Sequence, residues 1–145
     1  MRAARQCSLP VTINQCEAGE RLGAVINSAG EYDMVIDCGG TKSSLDKCLE
    51  HARPGAKVVL LGVYWDGFEL DAFKASMKEV EVYFSAAYNH HGAVRDLDMA
   101  ANLLGHWPKL PELLITHRFP LEAAEEAFAT AAARGKGAIK VVFEP

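Results

Sequence analysis

Tyr32-Asp-Met-Val-Ile-Asp-Cys-Gly-Gly40 and Ala56-Lys-Val-Val-Leu-Leu-Gly-Val63 are two β-branched apolar runs, each closed by glycine, with a helix-like stretch between them. A strand buried on both faces of a parallel sheet reads as a continuous apolar run instead of an alternating one. Glycine at its carboxyl end lets the backbone turn sharply and approach the crevice there. Two such units in series make half of a doubly wound α/β domain. The phosphate-holding half is missing from these residues: there is no G-x-G-x-x-G and no G-x-x-x-x-G-K-[ST].

Thr41-Lys-Ser-Ser44 offers hydroxyl N-caps for the helix between the two runs. Asp46 sits in its opening turn, and Leu45, Cys48, Leu49 and Ala52 fall on one stripe. Arg53-Pro-Gly55 ends that helix, and Lys57 to Leu61 form the next strand. Before the first run, Val11-Thr-Ile13 reads as a short strand and Glu17 to Ser28 as a helix stopped by Gly30. Beyond the second run, Tyr64 to Gly67 is a loop and Leu70 to Met77 a weak helix. Val80, Val82 and Phe84 alternate with Glu81, Tyr83 and Ser85, the mark of a half-exposed strand near a sheet edge. Ala93 to His106 reads as a helix with Val94, Leu97, Ala101 and Leu104 along its face. Leu113 to Thr116 is an extended run. Leu121 to Arg134 is a helix with Leu121, Ala124, Ala127, Phe128 and Ala131 inward, and Ala138 to Phe143 is a last strand.

The 145 residues suit one domain with a real core, and half of them are apolar. A net charge of −4, with no Lys/Arg cluster, argues against nucleic acid as a partner. No apolar run is long enough to span a bilayer, so no membrane is expected. Met1-Arg-Ala-Ala-Arg-Gln-Cys-Ser lacks the apolar middle of a secretory signal, and a cytoplasmic address follows by default. Cys7, Cys16, Cys38 and Cys48 have no zinc-module spacing, and the adjacent His90 and His91 point to different faces. No metal site is expected.

Taken in order, Tyr32-Asp-x-Val-Ile-Asp-Cys-x-Gly40, Arg53-Pro-Gly-x-Lys-Val-Val-x-x-Gly62, Leu114-Ile-Thr-His-Arg-Phe-Pro-Leu121, Glu126-Ala-Phe128 and Ile139-Lys-Val-Val142 span nearly the whole chain. This series resembles the carboxyl-terminal part of the zinc-dependent medium-chain alcohol dehydrogenases, in their sorbitol and threonine dehydrogenase-like branch. The resemblance implies an α/β fold: a partial Rossmann sheet lacking strands 1 and 2, followed by the family's last helix and strand. It divides the chain into a partial NAD(P)-binding domain at 1–110 and a segment at 111–145 that returns towards the catalytic domain. It also implies that the zinc-bearing catalytic domain and the phosphate-binding turn lie outside these residues. The sheet order 3-2-1-4-5-6 then leaves Asp33 to Asp37 as an open apolar edge. Residues 1–30 are expected to be displaced or disordered unless another copy covers the gap.

The resemblance carries candidate cofactor contacts, for NAD or NADP, onto three strand ends. They are Cys38, Gly39, Gly40 and Thr41 after the first run; Leu61, Gly62 and Val63 after the second; and Ser85 and Ala86 after the third. The alternative for the glycines is that they only turn the chain; the two jobs are compatible, and a cofactor contact at Gly40 and Gly62 is favoured. Lys140 matches a position that often presents a cation to pyrophosphate, and equally reads as a solvated lysine. Asp37 reads as a carboxylate bonded to the neighbouring loop and helix N-terminus. No catalytic residue is assigned.

The expected function is that of a truncated zinc-type alcohol or polyol dehydrogenase, inactive by itself, with cofactor binding weak or absent. Two alternatives stand beside it: a non-enzymatic assembly module using an exposed sheet edge, and a zinc-independent quinone-reductase-like member. Self-association is expected, as a homodimer through the strand at 80–85, since the family's dimers join across that strand.

Overall fold

The computed structural model describes residues 13–26, 29–133 and 137–144. They fall into two compact units, one spanning 29–87 and the other 13–26 with 88–144.

The first unit is a three-stranded parallel sheet in the order β1-β2-β3. Its strands are β1 (Tyr32–Asp37), β2 (Ala52–Leu60) and β3 (Glu81–Phe84). Helix α2 (Lys42–His51) connects β1 to β2, and α3 (Ala72–Met77) connects β2 to β3. Thr41 caps α2 as expected: its hydroxyl accepts from the Ser44 amide, and the Ser44 hydroxyl accepts from the Thr41 amide. The stripe of α2 is the core of this unit. Leu45, Leu49 and Ala52 are wholly buried and Cys48 nearly so, packed with Ala56, Val58 and Leu60 of β2. Burying each leucine contributes about 1.5–3 kcal/mol.

β2 starts earlier than the sequence suggests, at Ala52. The register jumps between Tyr32↔Ala52 and Met34↔Lys57, which leaves Arg53 to Ala56 as a bulge in the strand. Gly55 supplies the left-handed turn this needs, at φ +72°. Lys78 fastens the bulge: its carbonyl accepts from the Gly55 amide at 2.7 Å, while its ammonium donates to the Glu50 and Ala52 carbonyls and pairs with Glu31. Among the described residues β1 lies at the edge of this sheet, with Met34 and Ile36 about half exposed.

The second unit holds α1 (Ile13–Arg21), the small hairpin β4 (His90–His91) and β5 (Val94–Arg95), and the helices α4 (Asp96–His106) and α5 (Lys109–Leu114). It closes with β6 (Ile115–Pro120), a 3₁₀ turn at Leu121–Ala123, α6 (Ala124–Ala132) and β7 (Lys140–Glu144). β6 and β7 pair in parallel. At the register shift between Ile115 and His117 the Thr116 hydroxyl replaces the missing ladder bonds, accepting from the Ile139 amide and donating to the Lys140 carbonyl.

Several sequence expectations change here. Ile13 opens a helix instead of ending a strand, while Val11, Thr12 and Ser28 lie outside the described residues. Val94 belongs to the hairpin turned by Gly92, at φ +63°, so α4 begins only at Asp96. Leu113 and Leu114 are helical because Pro111 falls in the first turn of α5, where a missing N–H costs nothing; the strand follows at 115–120. The faces of α4 and α6 are not buried as their periodicity suggests. No residue of α4 is buried, Leu97 and Leu104 are about half exposed, and Leu121 and Phe128 are mostly exposed, leaving Ala127 as the covered residue of α6. A two-stranded sheet offers too narrow a face to cover a whole helical stripe.

Candidate functional site: a crevice at the strand ends

The carboxyl ends of β1 and β2 meet through two glycines. A Cβ placed on Gly62 would collide with the amide nitrogen of Gly40 and lie 2.7 Å from its Cα. A Cβ on Gly40, at φ +61°, would lie 2.5 Å from the Val63 carbonyl oxygen. Both glycines are therefore accounted for by backbone packed on backbone.

Asp37, the last residue of β1, organises this junction. It is 2 % exposed. Its carbonyl accepts from the Leu61 and Gly62 amides at 2.9 Å each. Its carboxylate accepts from the Gly39 amide at 3.1 Å, the Gly40 amide at 3.0 Å and the Tyr64 hydroxyl at 2.6 Å. The Ser44 hydroxyl also reaches it; with a single proton shared against the Thr41 carbonyl, that hydroxyl serves one acceptor at a time. Burial alone pushes this carboxyl's pKa up, but the bonds from Ser44, Tyr64, Gly39 and Gly40 together outweigh it and hold the value below the ordinary one. The expected role of Asp37, bonded to loop and helix N-terminus, is what the geometry gives. Its link to Tyr64 was not legible beforehand, because it spans 27 residues.

A crevice of about 510 Å³ opens above the junction. Gly40, Thr41 and Lys42 line one side, and the segment from Val63 to Glu69 lines the other. The second wall is aromatic: Tyr64 meets Phe68 at 5.1 Å between ring centroids, Phe68 meets Phe84 at 5.8 Å, and Trp65 is 88 % exposed. Lys42 is bonded to Asp46 at 3.0 Å, a partner that holds its ammonium above its usual pKa. Asp66 and Glu69 line the crevice as well.

Four backbone donors on the first wall are already engaged. The Gly39 and Gly40 amides are taken by Asp37, the Thr41 amide by the Ser44 hydroxyl, and the Ser44 amide by the Thr41 hydroxyl. A phosphate held by a loop and helix N-terminus needs such amides free.

Of the sequence-derived contacts, Gly40, Thr41 and Val63 line the crevice. Gly62 packs beneath it, and Cys38, Gly39 and Leu61 stand in the same two turns. Ser85 and Ala86 follow β3, where the Ser85 amide donates to the Leu60 carbonyl. Lys140 opens β7 in the second unit, exposed. Of the aromatic wall, the sequence shows Tyr64 to Gly67 only as a loop.

The buried thiol of Cys48 does not suit zinc. Burial, with the charges of Asp37 and Cys38 nearby, pushes the Cys48 thiol up to about 12, whereas a zinc ligand must be a thiolate. Among the described residues no three His, Cys, Asp or Glu side chains gather as a metal site, and no helix is long and apolar enough to cross a membrane.

Comparison with known proteins agrees with the fold. Residues 3–102 match the family described as zinc-binding dehydrogenase. L-arabinitol 4-dehydrogenase of Hypocrea jecorina is 29 % identical over 97 % of this chain and 38 % of its own length. Sorbitol dehydrogenase of Rattus norvegicus is 29 % identical over 79 % of this chain and 30 % of its own. The crystal structure of L-idonate 5-dehydrogenase from Escherichia coli superposes with a TM-score of 0.78 at 22 % identity, covering 97 % of this chain and 42 % of that one, a likeness of fold. The chain thus spans about a third of the length of these curated relatives.

Proposed function

This chain belongs to the zinc-binding dehydrogenase family, and from that premise we propose that it forms the rear of the NAD(P)-binding domain of a polyol or alcohol dehydrogenase. In that reading residues 1–110 are the Rossmann part and 111–145 the segment returning towards a catalytic domain. The observation that supports it is the crevice at the carboxyl ends of β1 and β2, the place where doubly wound sheets receive a nucleotide.

Hydride transfer between an alcohol and a nicotinamide is the chemistry the cofactor supplies. The residues of this chain bind and orient. Thr41 and Val63 stand where a ring or sugar would lie, with Trp65 as an aromatic face beside it. Cys38, Gly39, Leu61, Gly62, Ser85 and Ala86 complete the proposed contact set of the first unit, and Lys140, in the second unit, is proposed separately as a cation for pyrophosphate. The Gly39 and Gly40 amides that could meet a phosphate are engaged by Asp37, and among the described residues no zinc donor set forms. In this reading the 145 residues are inactive by themselves. An assay of the purified chain with NAD or NADP against sorbitol and L-arabinitol tests this: no reduction of either nucleotide is expected, and turnover by the chain alone would overturn it.

Association of two copies through 80–85 belongs to the same proposal. β3 is an edge strand, and Tyr83 and Phe84 on it are 45 % and 71 % exposed. A reading as a non-enzymatic assembly module draws on the other edge, where Met34 and Ile36 are exposed on β1.

A further inference from the structure

The second wall of the crevice is tied to the sheet by one buried group that no ligand can touch. Asp37 is 2 % exposed, yet its carboxylate receives the Tyr64 hydroxyl at 2.6 Å, the shortest of the three bonds that carboxylate accepts from Gly39, Gly40 and Tyr64. From Tyr64 the wall continues through ring contacts to Phe68 and Phe84, and the Gly67 amide turns back to the Tyr64 carbonyl at 3.3 Å. Trp65, next in sequence, stands in solvent at the crevice mouth. Tyr64 is thus the point where the aromatic wall is pinned, and the pin is set in the same carboxylate that shapes the opposite wall through the Gly39 and Gly40 amides. Burial, and then the bond to Asp37, hold the Tyr64 hydroxyl well above its usual pKa, so it keeps the proton that the bond requires.

We propose that Asp37 is a positioning residue which, through Tyr64, fixes the spacing between the two walls of this crevice. Both walls take their place from one carboxylate: the Gly39–Gly40 turn from two of its bonds, the Val63–Glu69 segment from the third. The identity of the occupant as the ring or ribosyl end of a dinucleotide rests on the reading above; the latch itself does not.

The test uses the chain carrying Trp107→Phe, which leaves Trp65 as its one tryptophan. Tyr64→Phe removes the latch hydroxyl and keeps the ring packed on Phe68. Asp37→Asn removes the latch and also disturbs the loop amides. In Tyr64→Phe the fluorescence anisotropy of Trp65 is expected to fall towards that of a mobile indole, with the circular dichroism of the sheet unchanged. Anisotropy equal to the parent protein's would overturn the proposal, and this arm stands whether or not Asp37→Asn folds. Adding NADH in excess separates the two readings. Trp65 restored to its parent anisotropy supports both. NADH that leaves Trp65 of the parent and of Tyr64→Phe unaltered agrees with cofactor binding that is weak or absent in this chain, while the fall in anisotropy still supports the latch.

Discussion

The amide nitrogen of Gly40 occupies the space a side chain on Gly62 would need, so the turns after β1 and β2 fit together only as glycine against glycine. Gly62→Ala should therefore destabilise the first unit by about 1–3 kcal/mol, the range for overpacking, by forcing backbone apart. Gly40→Ala meets the Val63 carbonyl and adds a left-handed conformation, for about 1–2 kcal/mol more. Gly67→Ala is the control: its φ is +80° but nothing stands within 4 Å, so only the conformational part is lost. Urea unfolding of the three variants gives the ranking.

Asp37 makes the first unit sensitive to acid. Its folded pKa lies below its ordinary value of 3.8, so it contributes stability above that value. The contribution is lost as pH falls through the folded value. Unfolding free energy followed downward from neutral pH should drop below roughly pH 4. Asp37→Asn should be less stable at neutral pH and show a shallower drop.

Lys78→Met should destabilise the same unit by about 1.5–3 kcal/mol, since charged donors to the Glu50 and Ala52 carbonyls vanish together. Glu31→Gln removes the more exposed partner of that lysine and should change stability by less than about 1 kcal/mol. Denaturation of both variants at low and high salt separates the two contributions.

Much of the first unit could be read from the chain. Leu45, Cys48, Leu49 and Ala52 recur at helical spacing and all reach the core, and Thr41 declares the helix start by its hydroxyl. Gly40, Thr41 and Val63, which line the crevice, came from the family resemblance laid on the ends of the two apolar runs. The aromatic wall did not, because Tyr64, Phe68 and Phe84 come together through a loop and a strand with no common period. In the second unit, Leu97, Leu104 and Phe128 carry the right spacing but lack a layer to bury them, and periodicity is silent on whether a covering layer exists. Leu113 and Leu114, read as extended, end a short helix whose first turn accommodates Pro111.

Pairing along β3 should make association sensitive to a single ladder donor. Val82→Pro removes an amide from the edge strand and is expected to shift a dimer towards monomer in sedimentation velocity. A parent chain that is monomeric over a wide concentration range would refute pairing there. Association untouched by Val82→Pro would move the contact to the β1 edge, at Met34 and Ile36.

The central claim is that these residues form the part of a nucleotide crevice that faces ring and sugar, with the loop amides that a phosphate requires already committed to Asp37, Ser44 and Thr41. Calorimetric titration of NADH into the 145-residue chain tests it most directly. The account predicts a dissociation constant of roughly millimolar or weaker, about −4 kcal/mol of binding free energy at most. A micromolar constant would contradict it, because affinity of that order requires a phosphate site built from donors other than the four engaged loop amides, such as the Lys42 ammonium.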